Sequence, residues 1–241
     1  MPALLSLESV SKSYGALTAI DDLSLAVQEG EALGVIGPNG AGKTTMFNLI
    51  TGDVAPDDGR VLLAGAEITG TKPHARSRLG VGRTYQIPHP FANMTVFENL
   101  LVGAIFGARQ AEHESYERCA EVLELTGLLP RANAPARTLT LLQRKRLELA
   151  RALALQPKLL LLDEIGGGLT EHECHALVET IRTIHAKGVT IVWIEHIVHA
   201  LVSVPSRLVV MNFGRVLAEG APRSVMADPR VQEVYMGIPA A

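Results

Sequence analysis

The segment that most constrains the fold of this chain is residues 37–44, which read GPNGAGKT. They match G-x-x-x-x-G-K-[ST] at every fixed position. An apolar strand-like run over 31–36 precedes them and a helix-like pattern over 44–50 follows. Glycines in such a loop let backbone N–H groups curl around phosphate oxygens without obstruction from Cβ atoms. The sequence therefore predicts a phosphate-binding loop between a strand and a helix.

This loop supplies most of the predicted nucleotide contacts. Lys43 is expected to bridge the β- and γ-phosphates, and the Thr44 hydroxyl to ligate Mg²⁺. The helix that begins here adds a favourable dipole for an anion. The predicted contacts in this segment are Gly37, Pro38, Asn39, Gly40, Ala41, Gly42, Lys43, Thr44 and Thr45.

A second candidate site follows the four leucines at 159–162, which lead directly into Asp163 and Glu164. Such a run is typical of a buried strand, and its acids would emerge at the carboxyl edge of a sheet, where ligands bind in open α/β folds. Asp163 is placed to hold Mg²⁺ through water, and Glu164 to polarise the attacking water. Taken alone, the run could equally be a strand that ends in solvated charges.

Composition excludes several other classes of protein. The 241 residues carry a formal charge of −3, so no basic excess is available for non-specific nucleic-acid binding. Mean hydropathy is +0.21, yet no run approaches the roughly 20 apolar residues that a membrane-spanning helix needs. The first residues lack a basic segment before a long apolar core, so no secretory signal is expected. The composition favours a cytoplasmic protein with its excess apolarity in buried strands or at an interface.

The order of patterns along the chain predicts an inserted lobe. Helix-like segments over 95–106, 111–125 and 144–155 separate the first strands from later apolar runs. Apolar strands that alternate with helices indicate a parallel sheet covered on both faces. We therefore predict a core of residues 1–86 and 156–241 with a helical lobe over 87–155. A hairpin turn is expected at residues 57–59, which read Asp-Asp-Gly.

Several further motifs resemble those of ABC-type ATPases and occur in the order of that family. They are Gln86, the segment 139–153, the Asp163-Glu164 pair and Glu195-His196. The resemblance covers essentially the whole chain. Segments 82–86, 94–100, 168–170, 219–222 and 234–237 resemble the ATPase subunits of branched-chain amino acid importers. The fold implied is α/β: a P-loop NTPase core with a mainly parallel sheet, an N-terminal antiparallel β portion and an inserted helical lobe.

The resemblance also implies roles for individual residues. Tyr14 matches the aromatic residue that stacks on adenine, although a turn tyrosine that packs locally is the alternative. Gln86 matches the glutamine that contacts Mg²⁺ and the attacking water. His196 matches the histidine that contacts the γ-phosphate, whereas a lone histidine at a strand end is more often structural. Thr140 and Gln143 belong to the signature sequence that clasps the ATP of a partner subunit.

Two residues depart from the family pattern. The signature reads Leu139-Thr140-Leu141-Leu142-Gln143, with Leu142 in place of a glycine that lets backbone approach the γ-phosphate. Leucine adds bulk there and would remove any freedom at positive φ. Thr170 replaces the aspartate that ends the loop after the general base. Hydrolysis is expected to survive, with an altered clasp between subunits.

The function implied is that of an ATP-hydrolysing subunit of an importer for branched-chain amino acids or a related small polar or organic-acid solute. Its expected partners are a second ATPase subunit, as a homodimer or heterodimer, integral membrane permeases and, indirectly, a periplasmic solute-binding protein, with no nucleic acid. The expected location is peripheral, on the cytoplasmic face of the inner membrane. Two alternatives, both less favoured than this function, are a soluble ABC-type ATPase outside transport and a P-loop kinase that transfers phosphate to a small molecule.

Overall fold

The computed structural model describes residues 3–108 and 111–236, without the side chains of residues 198–200, 235 and 236. Within them the chain divides into two compact units. The first unit is Met1–Pro73 with Thr190–Ala241, and the second is His74–Val189. Gly237, the last residue of the predicted motif 234–237, lies outside the described residues.

Ten strands run in chain order through the described residues. They are β1 Ala3–Tyr14, β2 Leu17–Gln28, β3 Ala32–Ile36, β4 Asp58–Leu63, β5 Ala66–Glu67, β6 Val81–Arg83, β7 Leu159–Asp163, β8 Thr190–Ile194, β9 Arg207–Asn212 and β10 Arg215–Gly220.

Nine α-helices lie in the same residues. They are α1 Lys43–Thr51, α2 Pro73–Arg78, α3 Val96–Val102, α4 Glu112–Leu125, α5 Leu141–Ala154, α6 Glu171–Ala186, α7 Val198–Ser203, α8 Pro222–Met226 and α9 Pro229–Met236.

The first unit holds two sheets. One is antiparallel, in the order β2-β1-β4-β5. In the other, β3 pairs in parallel with both β8 and β9, and β10 closes the edge against β9 in antiparallel fashion. Strands β3 and β8 are buried at every position, as expected for parallel strands covered on both faces. An apolar cluster that includes Ile36, Leu201 and Val231 packs against β9 and β10.

The second unit combines helices with the parallel pair β6 and β7. Helices α3, α4 and α5 contact one another and bury residues such as Leu100, Val122 and Leu147. Phe97 stacks on Tyr116 with ring centroids 5.6 Å apart, which fixes α3 against α4. Helix α3 continues into a π-helical turn, Gly103–Gly107, so the helix predicted over 95–106 is present with a change of winding.

Most predicted elements are found, and the differences have local causes. The hairpin turn predicted at 57–59 is wrong, because β4 begins at Asp58. Gly59 lies inside this strand at φ +82°, and a Cβ there would lie 2.3 Å from the Ser9 carbonyl oxygen. The glycine therefore serves an irregular crossing of β1 and β4, where the pairing register shifts between Glu8 and Ser11. Among the described residues of β4 and β5, the reversal comes at Ala64-Gly65, both at positive φ.

Helix α5 begins at Leu141, three residues before the predicted start at Arg144. The signature residues therefore form its first turn. The helical lobe predicted over 87–155 is shorter than the second compact unit, His74–Val189. Its boundaries stay a prediction.

Candidate functional site

The phosphate-binding loop occupies the connection between β3 and α1, as its motif predicts. A Cβ at Gly42 would lie 2.4 Å from the Ala19 carbonyl oxygen, and one at Gly37 would lie 2.3 Å from that of Met211. No other residue type fits at these positions without moving the backbone. Gly42 also has φ +100°, a left-handed conformation that starts α1 and costs glycine little.

Lys43 directs its ammonium group into this loop. Its Nζ donates to the carbonyl oxygens of Gly37, at 2.6 Å, and Pro38, at 3.0 Å. Only 6% of the residue is exposed, so the charge is held inside a ring of backbone groups. Thr44 follows in the first turn of α1 with an exposed side chain. A cation and a helix N-terminus at one loop fit a polyphosphate chain.

Two more predicted residues of the first unit are exposed at strand ends. Tyr14 ends β1 with 47% of its surface exposed, and the Lys12 ammonium lies 5.7 Å from its ring centroid. His196 is exposed just beyond β8, and its backbone N–H donates to the Glu195 carboxylate at 2.9 Å. Glu195 itself is buried. Both rings are accessible to a ligand.

In the second unit, Asp163 ends β7 with its carboxylate in a buried ion pair. Arg83 Nη2 lies 2.8 Å from Asp163 Oδ2, and less than a tenth of either side chain is exposed. Thr84 Oγ1 accepts from the Asp163 backbone N–H at 3.2 Å. The Arg83 guanidinium also lies 4.8 Å from the ring centroid of Tyr85. The segment before Gln86 is therefore fastened to the end of β7.

The side chains of Gln86 and Glu164 lie together. Gln86 Nε2 donates to Glu164 Oε2 at 2.7 Å. Glu164 has φ +44°, which is sparsely populated for residues other than glycine. Strain of this kind, about 1 kcal/mol or more, is typical of functional sites and persists only where the surroundings impose it.

The signature residues begin α5 with a reciprocal cap. Thr140 Oγ1 accepts from the Gln143 backbone N–H, and Gln143 Oε1 accepts from the Thr140 backbone N–H. Leu142 lies in the first helical turn without a positive φ, so freedom at positive φ is not what its substitution removes. Its added bulk remains. Thr170 caps α6 in the same way with Glu173, a role that aspartate also fills well.

Two family models match this chain. A family model described as ABC transporter matches residues 20–166, which is more than half of the chain. The chain belongs to the ABC transporter family. A second model, described as branched-chain amino acid ATP-binding cassette transporter, matches residues 215–241.

Individual ABC transporter relatives are similar over almost their full length. A high-affinity branched-chain amino acid transport ATP-binding protein, BraF of Pseudomonas aeruginosa, is 37% identical, over 97% of this chain and 98% of its own length. The LivG protein of Escherichia coli K12, which carries the same description, has the same identity and coverage.

Solved structures agree. A cassette of an ABC transporter in its ADP conformation superposes with a TM-score of 0.90 at 33% identity, over 99% of this chain and all of its own. A dimeric cassette in a post-hydrolysis state with ADP and Pi gives 0.82 at 25% identity, over 91% and 99%. The predicted family, fold and enzyme class, an ATPase of this family, are confirmed.

Sequence reasoning missed two features of the ABC transporter site. Leu141 replaces a second signature glycine and is 43% exposed, beside Gly168 at the end of the loop after Glu164. Lys145 lies within the segment 139–153 and was given no role of its own. It is 3% exposed, and its contacts lie with the backbone of Gln86 and Glu164. Signature spacing could have drawn attention to Leu141, whereas nothing local in the sequence marks Lys145 as buried.

Proposed function

We propose that this chain is the ATP-hydrolysing subunit of an ABC importer that takes up branched-chain amino acids or a related small polar or organic-acid solute. The observation that carries the proposal is the similarity over 97% of the chain to proteins named for branched-chain amino acid transport. A soluble ABC ATPase outside transport would not be expected to match the transporter model over residues 215–241.

In the first unit, the loop residues 37–45 are assigned to the phosphates of ATP. Lys43 neutralises the β- and γ-phosphates from its position among the loop carbonyls. Tyr14 stacks on adenine with its exposed ring, and His196 contacts the γ-phosphate. The exposure of both rings supports these roles.

In the second unit, Glu164 is the general base that takes a proton from the attacking water, and Gln86 orients that water. General bases contribute typically 10²–10⁴-fold to a rate. The amide-to-carboxylate distance of 2.7 Å supports a joint role. Within this unit, the amide oxygen of Gln86 and, through water, the carboxylate of Asp163 are assigned to Mg²⁺, which prefers oxygen ligands. In the first unit, the donor assigned to Mg²⁺ is the Thr44 hydroxyl. When bound, Mg²⁺ neutralises charge that develops on the phosphates.

Thr140 and Gln143 are assigned to the ATP of a second ATPase subunit, either another copy of this chain or a related one. The similarity to a dimeric cassette supports such pairing. Because Leu141 and Leu142 place two bulky side chains at this helix start, contact with the partner's nucleotide is expected to be looser than through glycines.

We further propose that the subunit works at the cytoplasmic face of the inner membrane, bound to permease subunits and served indirectly by a periplasmic solute-binding protein. No helix among residues 3–108 and 111–236 is long and apolar enough to cross a bilayer. The segment after Gln86 supports docking, because Ile87 and Phe91 are 66% and 45% exposed. Met94 and Phe97 are more buried, so they contribute less to this exposed apolar surface.

Substitution of Ile87 tests the docking assignment. Ile87→Asp replaces an exposed apolar side chain with a charge, which should abolish co-purification with membrane subunits while ATP affinity stays within twofold. The measurement is membrane fractionation after co-expression with the permeases. Leu129→Asp, at a 45% exposed leucine elsewhere in the second unit, is the matched control and should still pellet with membranes. Membrane association of Ile87→Asp equal to that of the parent would overturn the assignment.

A further inference from the structure

Lys145 is a buried cation in the signature helix whose acceptors are the backbones of both proposed catalytic residues. Its Nζ lies 2.5 Å from the Gln86 carbonyl oxygen and 3.4 Å from that of Glu164. The residue is 3% exposed, although lysine is almost never fully buried unless its charge is compensated. One ammonium group therefore connects α5 to two segments that are distant in the sequence.

This contact fixes positions that matter for the side chains of Gln86 and Glu164. The Gln86 amide meets the Glu164 carboxylate at 2.7 Å, so their backbones must keep a set separation for the pair to form. Glu164 also needs an unfavourable left-handed backbone at φ +44°. A donor bound to both carbonyls can impose this arrangement, because an ammonium group carries three N–H bonds in different directions.

Lys145 is the first of three residues on one face of α5 that hold the segment after β6. Residues three apart on a helix are neighbours. Glu148 accepts from the backbone of Tyr85, and burial raises the pKa of its carboxyl. Arg151 Nη1 donates to the His89 carbonyl oxygen at 2.9 Å and to Glu148 at 3.1 Å. The backbone from 85 to 89 thus follows the face of the signature helix.

We propose that Lys145 is a positioning residue for hydrolysis: it ties the register of Gln86 and Glu164 to the position of the signature helix. A movement of α5 would then shift both backbones together and make or break the amide–carboxylate pair. This inference rests on the proposed ATPase function and adds a route by which the signature helix controls the water-activating pair. Lys145 acts through Gln86 and Glu164 and does not itself touch the substrate.

The first test separates turnover from binding. Lys145→Met, in the full chain with the subunits that co-purify with it, should lower kcat for ATP about 10- to 100-fold, since a misplacement of about 1 Å can cost about 100-fold. KM and the Kd for ATP should change less than threefold. Lys145→Arg keeps the charge and the N–H donors. Its loss in log kcat should be at most two thirds of the loss in Lys145→Met. Lys158→Met, the same change at an exposed lysine of the same unit, should match the parent.

The second test shows whether Lys145 acts through Gln86. In a Gln86→Ala background the amide–carboxylate pair is already lost and only the contact with the Glu164 backbone still matters, so Lys145→Met should lower kcat by a factor at least threefold smaller than in the parent. A purely structural lysine would instead lower kcat by the same factor in both backgrounds, and that result would overturn the proposal. If Lys145→Met does not fold, the cycle is run with Lys145→Gln, which keeps a shorter donor. A parent that binds ATP without hydrolysing it would count against the proposed function rather than against this inference.

Discussion

At the residue scale, the site combines positions that a fixed motif identifies with positions that only burial identifies. Lys43 was predicted because its loop motif admits few alternatives, and it lies inside the loop as the chemistry requires. Lys145 was not predicted, because a lysine after a signature sequence carries no local sign that it is buried. The positive φ of Glu164 could not be predicted either, since nothing in the neighbouring sequence indicates it.

The buried pair of Arg83 and Asp163 carries a prediction at this scale. If Asp163 serves Mg²⁺, Arg83 neutralises its carboxylate before the metal arrives and keeps it from repelling nucleotide phosphates. Arg83→Met should therefore weaken ADP binding without Mg²⁺ more than with it. The Kd for ADP without Mg²⁺, divided by the Kd with Mg²⁺, should rise about tenfold over the parent, which corresponds to about 1.4 kcal/mol. Calorimetric titration with ADP, with and without Mg²⁺, measures both constants.

Two outcomes qualify this prediction. Arg83→Lys keeps the charge and should leave the ratio within threefold of the parent. Equal weakening of both affinities in Arg83→Met would mean that the arginine supports only the local fold, and the electrostatic role would be wrong.

At the scale of elements, three helix starts carry a capping pattern in the sequence, although the start of α5 was predicted three residues too late. Thr95, Thr140 and Thr170 each begin a helix with an acid or amide three residues later, and all three form reciprocal caps. The departure at Thr170 thus has a local explanation that the family comparison alone did not offer. Gly59 shows the opposite case, because an Asp-Gly pair favours a turn while the contact with Ser9 belongs to a strand crossing.

The cap at Thr170 gives a stability prediction for α6. Thr170→Ala removes the acceptor for the Glu173 N–H and should lower the free energy of unfolding by about 1 kcal/mol. Thr170→Asp keeps an acceptor at the cap and should stay within about 0.5 kcal/mol of the parent. Urea unfolding monitored by circular dichroism gives both values. Thr183→Ala, at an exposed position of the same helix, is the control. A loss in Thr170→Asp as large as in Thr170→Ala would contradict the capping role.

At the scale of the whole molecule, the mean hydropathy of +0.21 is accounted for by strands buried along their full length and by exposed apolar side chains. Strands β3, β7 and β8 are buried at every residue. Ile87 and Phe106 are 66% and 70% exposed in the second unit. Composition alone could not tell buried apolar residues from exposed ones, because it gives the amount of apolar surface and not its position in the fold. The motif order predicted the family, whereas only the folded structure divides the apolar residues between core and surface.

The central claim is that this chain hydrolyses ATP to drive solute uptake through membrane subunits. The most direct measurement is uptake of radiolabelled leucine into proteoliposomes that contain the complete complex, with ATP supplied on the side of this chain. The account predicts ATP-dependent uptake with the parent and a loss of at least 100-fold with Glu164→Gln, which keeps ATP binding but removes the general base. Uptake that persists with Glu164→Gln, or that proceeds without this chain, would contradict it.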